Sequence, residues 1–301
     1  MIKPTVNSPR IPARAGSFYP GNEAGCRQAF EEFRREAAPL PALKPCRILG
    51  ALAPHAGWRY SGFTGWRVLQ ALAQSTPRPE TILIFATSHR PDVKQPSLQS
   101  QGQWKTPLGT IEIDEALAQK FLEQARMLNT PLLDFASAHE GDHAIEVLLP
   151  MLQEWLPEAR FIPIAMPADA DGSTLGKAAA WAVKAASKPC VALASSDLTH
   201  YGPNYYDFAP HGVGMAAHRW SKDVNDAAFL ERVLKLDAEG AQKAARRDKS
   251  ACGPAAVGAA IAFAKELGAK EGHLLEHVTS WERGKQGEPE DFVGYAGVVF
   301  V

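Results

Sequence analysis

The chain lacks the features that mark several large functional classes. Lysine and arginine total 32 against 33 aspartates and glutamates, a net charge of −1. There is no positive surplus of the kind that nucleic acid or an anionic membrane surface demands. Cysteine is scarce: Cys26, Cys46, Cys190 and Cys252 are the only four, with no Cys-x-x-Cys pair among them. They are too few and too scattered for a disulfide scaffold. No apolar run approaches the roughly 20 residues that span a bilayer. The opening Met1-Ile-Lys-Pro-Thr-Val-Asn-Ser-Pro-Arg10 has no apolar stretch of the secretory kind. The expectation is a soluble cytoplasmic protein with reduced thiols.

What the chain does have is core. Of 301 residues, 46% are hydrophobic and 22% charged, which excludes general disorder. Arg47–Ala53, Thr81–Ala86, Arg160–Ala165 and Cys190–Ala194 are near-continuous apolar runs, the signature of strands covered on both faces. Val293–Val301 reads as a further strand, with Leu274–Thr279 as an antiparallel partner. Helix patterns fall between them: Phe63–Gln74, Asp114–Met127, His143–Trp155 behind an Asp142 cap, Thr174–Ala186, Val213–Val233, Ala238–Arg247, and one opening at Gly253-Pro254 and running to Leu267. Pro150 must kink or break the third of these. No linker, charge block or repeat interrupts the alternation from about residue 47 to 200. The expected fold is α/β, a layered, mainly parallel or mixed central sheet with helices on both faces, in one domain over residues 1–301.

In open α/β sheets ligands bind beyond the carboxyl ends of strands. The first run ends in Ala53-Pro54-His55-Ala56-Gly57 and the second in Ala86-Thr87-Ser88-His89. The fourth ends in Ser195-Ser196-Asp197-Leu198-Thr199-His200-Tyr201-Gly202. Three strands thus deliver histidine to one edge; any single one of them reads first as a hydrogen-bonded structural residue, but for all three at equivalent strand ends coincidence is the weaker account. Cys252 precedes a helix, where a thiolate is favoured; its bland alternative is a small buried cap. Two imidazoles and a thiolate would make a three-ligand metal site with open positions. Asp197 could orient a ligand histidine or bind the ion itself, and His200 could act as acid or base. His143 and Glu146, three apart, would share a helix face beside the site or form a solvated first turn.

Two motifs are decoys. His139-Glu140-Gly141-Asp142-His143 spells H-E-x-x-H, but the zinc-protease arrangement needs a formed helix, and Gly141 and Asp142 are poor helix-interior residues. Gly212-Val213-Gly214-Met215-Ala216-Ala217 spells G-x-G-x-x-A, but a dinucleotide site needs a strand immediately before it. Residues 202–211 read as a loop.

Taken together the motifs resemble the Memo family, whose prokaryotic members are called AmmeMemoRadiSam system protein B. The resemblance runs nearly end to end: Ala15–Pro20, Ala53–Gly57, Thr87–His89, Trp104–Gly109, Asp142–Glu146, Ser195–Gly202, Cys252–Pro254 and Gly294–Gly297. It implies a fold similar to class III extradiol dioxygenases. It also implies an iron or copper ion, with zinc as a further fit, on His55, His89 and Cys252. Asp197 and His200 match the remaining site positions, His200 resembling the dioxygenase base. Cysteine where the dioxygenases place a carboxylate favours softer ions and makes ring cleavage doubtful.

Three functional readings follow. The first is a metal-dependent redox enzyme on an unknown small substrate, with His200 moving the proton and Asp197 fixing an imidazole tautomer. The second is a non-catalytic module that holds a peptide or modified side chain in a cleft lined by Tyr60, Trp58 or Trp104; animal members of the family are described as adaptors that engage phosphorylated receptor peptides. The third is zinc-assisted hydrolysis at the same ligands or at the H-E-x-x-H segment.

Overall fold

The computed structural model describes residues 8–37, 39–40, 47–205, 211–284 and 287–301. Cys46 lies outside them, as do residues 206–210 of the loop before the glycine motif and the first seven residues of the chain.

The strands, in chain order, are β1 (Gly50–Ala53), β2 (Thr81–Thr87), β3 (Ser97–Leu98), β4 (Gln103–Thr106), β5 (Gly109–Glu112), β6 (Leu133–Asp134), β7 (Arg160–Met166), β8 (Cys190–Ser195), β9 (His200–Tyr201), β10 (Gly272–Thr279) and β11 (Phe292–Phe300). Nine of them form one sheet in the order β10-β11-β1-β8-β2-β7-β3-β6, with β9 on β11; β4 and β5 make a separate hairpin. The centre, β1-β8-β2-β7, is parallel. The β10-β11-β1 side and the β7-β3 contact are antiparallel.

The helices are α1 (Glu23–Glu36), α2 (Trp58–Ala73), α3 (Glu115–Met127), α4 (Leu149–Trp155), α5 (Gly172–Ala186), α6 (Met215–Arg219), α7 (Ala227–Leu234), α8 (Ala238–Asp248), α9 (Pro254–Glu266) and α10 (Ser280–Gly284). They cover both faces of the sheet, and β2 shows why its sequence has no polar phase. Leu83 and Phe85 pack among α3, α5 and α9, whereas Ile82, Ile84 and Ala86 pack among α1, α2 and α4. Alternate side chains point to opposite faces, so a strand covered twice must be apolar throughout.

Local signals set most boundaries. Asp114 caps α3 by accepting from the Leu117 amide, and Pro254 sits in the first turn of α9. Two elements differ from expectation. α2 begins at Trp58, not Phe63, because the Trp58 amide donates to the Phe18 carbonyl and its indole N–H to the Val147 carbonyl. These long-range bonds carry the helix through Ser61 and Gly62. The expected helix from His143 does not form. Asp142 spends its carboxylate on the amides of His89 and Ala144. A 3-10 turn covers Glu146–Leu148, and α4 starts at Leu149 with Pro150 in its first turn. Proline at that place loses no helical hydrogen bond. The helical excursion after Val213 runs from Met215 to Leu234, with a π-helical turn over Trp220–Asp226.

Candidate metal centre

β8 lies between β1 and β2, and the register sets Ala53 and Ala86 both opposite Ser195. Two residues beyond that row, His55 and Asp197 leave their strands side by side, and His89 follows β2. The His55 amide donates to Asp197 Oδ1 at 2.8 Å, which ties the two loops together. Strand register therefore brings His55 and Asp197 together, and the Asp142 carboxylate fixes the backbone of His89.

The tautomers of two imidazoles follow from their neighbours. His55 is 1% exposed. Its Nδ1 lies 2.9 Å from Ser195 Oγ, and the Ser195 hydroxyl donates to the Ala144 carbonyl at 2.5 Å. A hydroxyl has one hydrogen, so Ser195 must accept from Nδ1–H. The His55 lone pair is left on Nε2. His89 places Nδ1 3.2 Å from Asp142 Oδ1. Burial opposes the charge on Asp142, but hydrogen bonds from His89 and the Ala144 amide hold its carboxyl far below the usual range. An ionised carboxylate only accepts, so His89 also carries its proton on Nδ1. Such partners aim a ligand lone pair and raise its basicity. The expectation that Asp197 sets a tautomer is corrected: Ser195 and Asp142 do so, because Asp197 reaches the His55 backbone, and its Oδ2 stands 3.9 Å from Nε2.

His143 completes the cluster. Its ring stacks on His89, with centroids 4.5 Å apart at 18°, and meets the edges of His55 and Phe18. One ring nitrogen from each of His55, His89 and His143 lies within 4.8 Å of the others, a spacing that could hold a metal ion. Burial pushes His55 down to about 4, and burial with the neighbouring imidazoles takes His143 to about 3. Both are neutral donors well into acid.

Cys252 adjoins this group. Its Sγ is 3.4 Å from His55 Nε2 and accepts from the Asp197 amide at 3.3 Å, while its own amide donates to the Asp197 carbonyl. The thiolate expected from a helix N-terminus is corrected. Burial, with the Asp197 charge second, pushes the thiol up to about 12, so in the protein without an ion it is protonated. An ion taken up there must displace that proton.

The cluster forms the floor of a cleft of about 780 Å³, with walls that include Phe18, Tyr60, His200, Tyr205, Trp281 and Tyr295. Asp197 also lines it. His200 enters from β9, and its Nδ1 lies 3.1 Å from the Leu198 carbonyl. Of the three aromatics expected at the mouth, only Tyr60 is there. Trp58 and Trp104 are 4% and 1% exposed and pack in the core.

Glu146 turns away from His143, because no helix joins them. It is buried and receives Arg10 Nη1 at 2.7 Å, the amides of Ala13 and Arg14, and the Tyr19 hydroxyl. Its work is to anchor the N-terminal segment, which supplies Ser17 and Phe18 to the cleft. His139 is buried behind the site against Trp104, its Nε2 without a hydrogen-bond partner. Gly141, at φ +74°, turns the chain between the two histidines. The H-E-x-x-H residues thus diverge and cannot share an ion. The glycine motif opens α6 with no strand immediately before it among the described residues, since β9 ends at Tyr201. Ser195 and Arg10 escaped the sequence reading. The position of Ser195 at the strand end shared with His55 and His89 was a usable signal; Arg10 had none.

The family described as Memo-like protein matches residues 10–299. The chain belongs to this family. Among curated relatives, a MEMO1 family protein of Methanopyrus kandleri is 34% identical over 301 residues, covering 97% of this chain and 98% of the relative. Another, from Pyrococcus abyssi, is 33% identical over 298 residues and covers 96% and 98%. Among solved structures, an uncharacterized protein of Escherichia coli K12 aligns with TM-score 0.49 and 14% identity, over 84% of this chain and all of that one. Of the segments that carried the resemblance in the sequence of this Memo-like protein, those around Phe18, His55, His89, His143, Asp197 and Tyr295 line one cleft, whereas Trp104 packs in the core. No helix among the described residues is long and apolar enough to cross a membrane.

Proposed function

We propose that this Memo-like protein is a metal-dependent redox protein that binds a small organic molecule in the cleft above His55, His89 and His143. The observation that carries the reading is the convergence of three imidazole nitrogens within 4.8 Å on the cleft floor. The donor set fits a transition ion: imidazole suits iron, copper and zinc, and the sulfur of Cys252 beside His55, once deprotonated, suits soft ions such as Cu(I). Such an ion would supply Lewis acidity and a one-electron couple.

The chain's own residues do the rest. Ser195 and Asp142 hold two lone pairs in place before anything binds. Asp197 keeps the β1 and β8 loops in contact. His200 Nδ1–H donates to the Leu198 carbonyl, which leaves Nε2 as the basic nitrogen of the ring, and as a cleft-lining residue His200 is the group to take or return a proton. The aromatic walls exclude water from a planar or apolar ligand.

The test is anaerobic purification without chelators, then elemental analysis and an absorption spectrum. The expected result is one ion per chain, lost in His55→Ala and in His143→Ala. Retention in both variants overturns the ligand assignment. Cys252→Ala separates the donor sets: a retained ion means three imidazoles suffice, and a lost one makes the sulfur a ligand. A second reading, a binding module for a peptide, is favoured by the same aromatic walls. It gains if a bound peptide is indifferent to removal of the ion.

A further inference from the structure

His200 owes its tautomer to a residue far from it in sequence. Its Nδ1–H donates to the carbonyl of Leu198, and that carbonyl belongs to the same peptide unit as the amide of Thr199. A trans peptide is planar, with its C=O and N–H pointing in opposite directions. Whatever fixes the Thr199 N–H on one side therefore aims the Leu198 C=O on the other.

Asp226 does the fixing. It is fully buried. Its Oδ1 accepts from the Thr199 amide at 3.1 Å and also from the Thr199 hydroxyl, while Asn225 Nδ2 donates to that hydroxyl oxygen at 2.9 Å. Oδ2 faces His277 Nε2 at 3.1 Å. Asn225 and Asp226 close the π-helical turn Trp220–Asp226, a distortion that often marks functional positions. The carboxylate reaches Thr199 only because position 294 is glycine: a Cβ there would collide with Asp226 Oδ2. The Gly294 backbone also holds this loop, its carbonyl accepting from Leu198 N and its amide donating to Thr199 O.

We infer that Asp226 is a positioning residue for His200, acting through the Leu198–Thr199 peptide plane to keep the imidazole in its Nδ1–H form. The inference rests on the reading of His200 as the proton-handling group, and its test needs neither the ion nor a substrate. Long-range ¹H–¹⁵N correlation spectra of the full-length protein, taken where the ring is neutral, report which nitrogen of His200 is protonated; His200→Gln assigns the signal. The expected wild-type result is the Nδ1–H pattern. Asp226→Ala shifts it towards Nε2–H, and Asp226→Asn, which keeps an acceptor for Thr199, restores it. Gly294→Ala, which crowds the carboxylate away, repeats the shift if Asp226→Ala does not fold. A wild-type ring in the Nε2–H form overturns the inference, as does an unshifted signal in either disrupting variant. Absence of metal from the wild-type protein would sink the proposed function and leave this result standing.

Discussion

The cleft is built from two kinds of chain, and they behave differently. His55, His89 and His200 come from strand ends or from a short strand paired to β11, where register places the backbone. His139, His143 and Glu146 come from the irregular stretch before α4, where side-chain hydrogen bonds place it. At the strand ends, residue spacing was a reliable guide. In the irregular stretch, three polar residues go three ways, although two of them were expected to share a helix face: His143 into the cleft, Glu146 to the N-terminal segment and His139 into the core. Regular elements transmit a sequence pattern into space, and irregular ones obey their tertiary partners.

The largest test of that contrast is Glu146→Ala. It leaves Arg10, whose side chain is only 9% exposed, as a buried cation without its carboxylate. The expected cost is about 3–5 kcal/mol of stability, measured by urea unfolding. A loss under 1 kcal/mol would show that the N-terminal segment is not held through Glu146.

Next come the two residues that orient imidazoles, one on each side of the comparison. Ser195→Ala and Asp142→Ala remove the Nδ1 partners of His55 and His89. Each is expected to weaken metal binding by about 10–100-fold, read by competition with a chelator of known affinity. Unchanged affinity in both would mean that the rings are held by packing alone.

Acid should act through the buried imidazoles. His139 is pushed down to about 3, by burial first and the Arg10 charge second, and His55 to about 4. Unfolded histidine takes up its proton near pH 6.5, so below that pH the unfolded chain binds more protons and the folded state loses stability as pH falls. His139→Leu removes one such proton and should flatten the dependence between pH 6.5 and 4 by about 1.4 kcal/mol per pH unit. An equal slope in both proteins would place His139 elsewhere than in the core.

The smallest effect is expected from Gly141→Ala. No atom lies within 4 Å of the added methyl, so only the left-handed backbone is strained, at about 1–2 kcal/mol. A larger loss in thermal or urea unfolding would show that the turn between His139 and His143 is more tightly determined than its open surroundings suggest.

Much of the fold was legible because burial on two faces leaves a plain mark: β2, β7 and β8 are apolar runs bounded by turns. The antiparallel pairing of β10 and β11 was legible too. The start of α2 was not, since it depends on bonds from Phe18 and Val147. At the site, His55, His89, His200, Asp197 and Cys252 were named from their places beyond strands or before a helix; the first four line the cleft and Cys252 lies against His55. The state of Cys252 stayed open in the sequence, between a thiolate and a small buried cap, because dipole arguments cannot weigh burial. Asp226 and His277 carried no signal, since their contacts to Thr199 and to each other join segments distant in the chain.

The scarcity that opens the sequence keeps its meaning: with four cysteines and balanced charge, the chemistry had to rest on a few placed residues. By itself the sequence determined the apolar strands, their alternation with helices, and the delivery of histidine to strand ends, because these follow from local pattern and period. Only the tertiary structure decided which nitrogen of His55 and of His89 bears a proton, that burial raises the pKa of the Cys252 thiol, and that His143 rather than His139 joins the cluster. Those outcomes turn on hydrogen bonds and desolvation between segments far apart in the chain, and no local pattern records them.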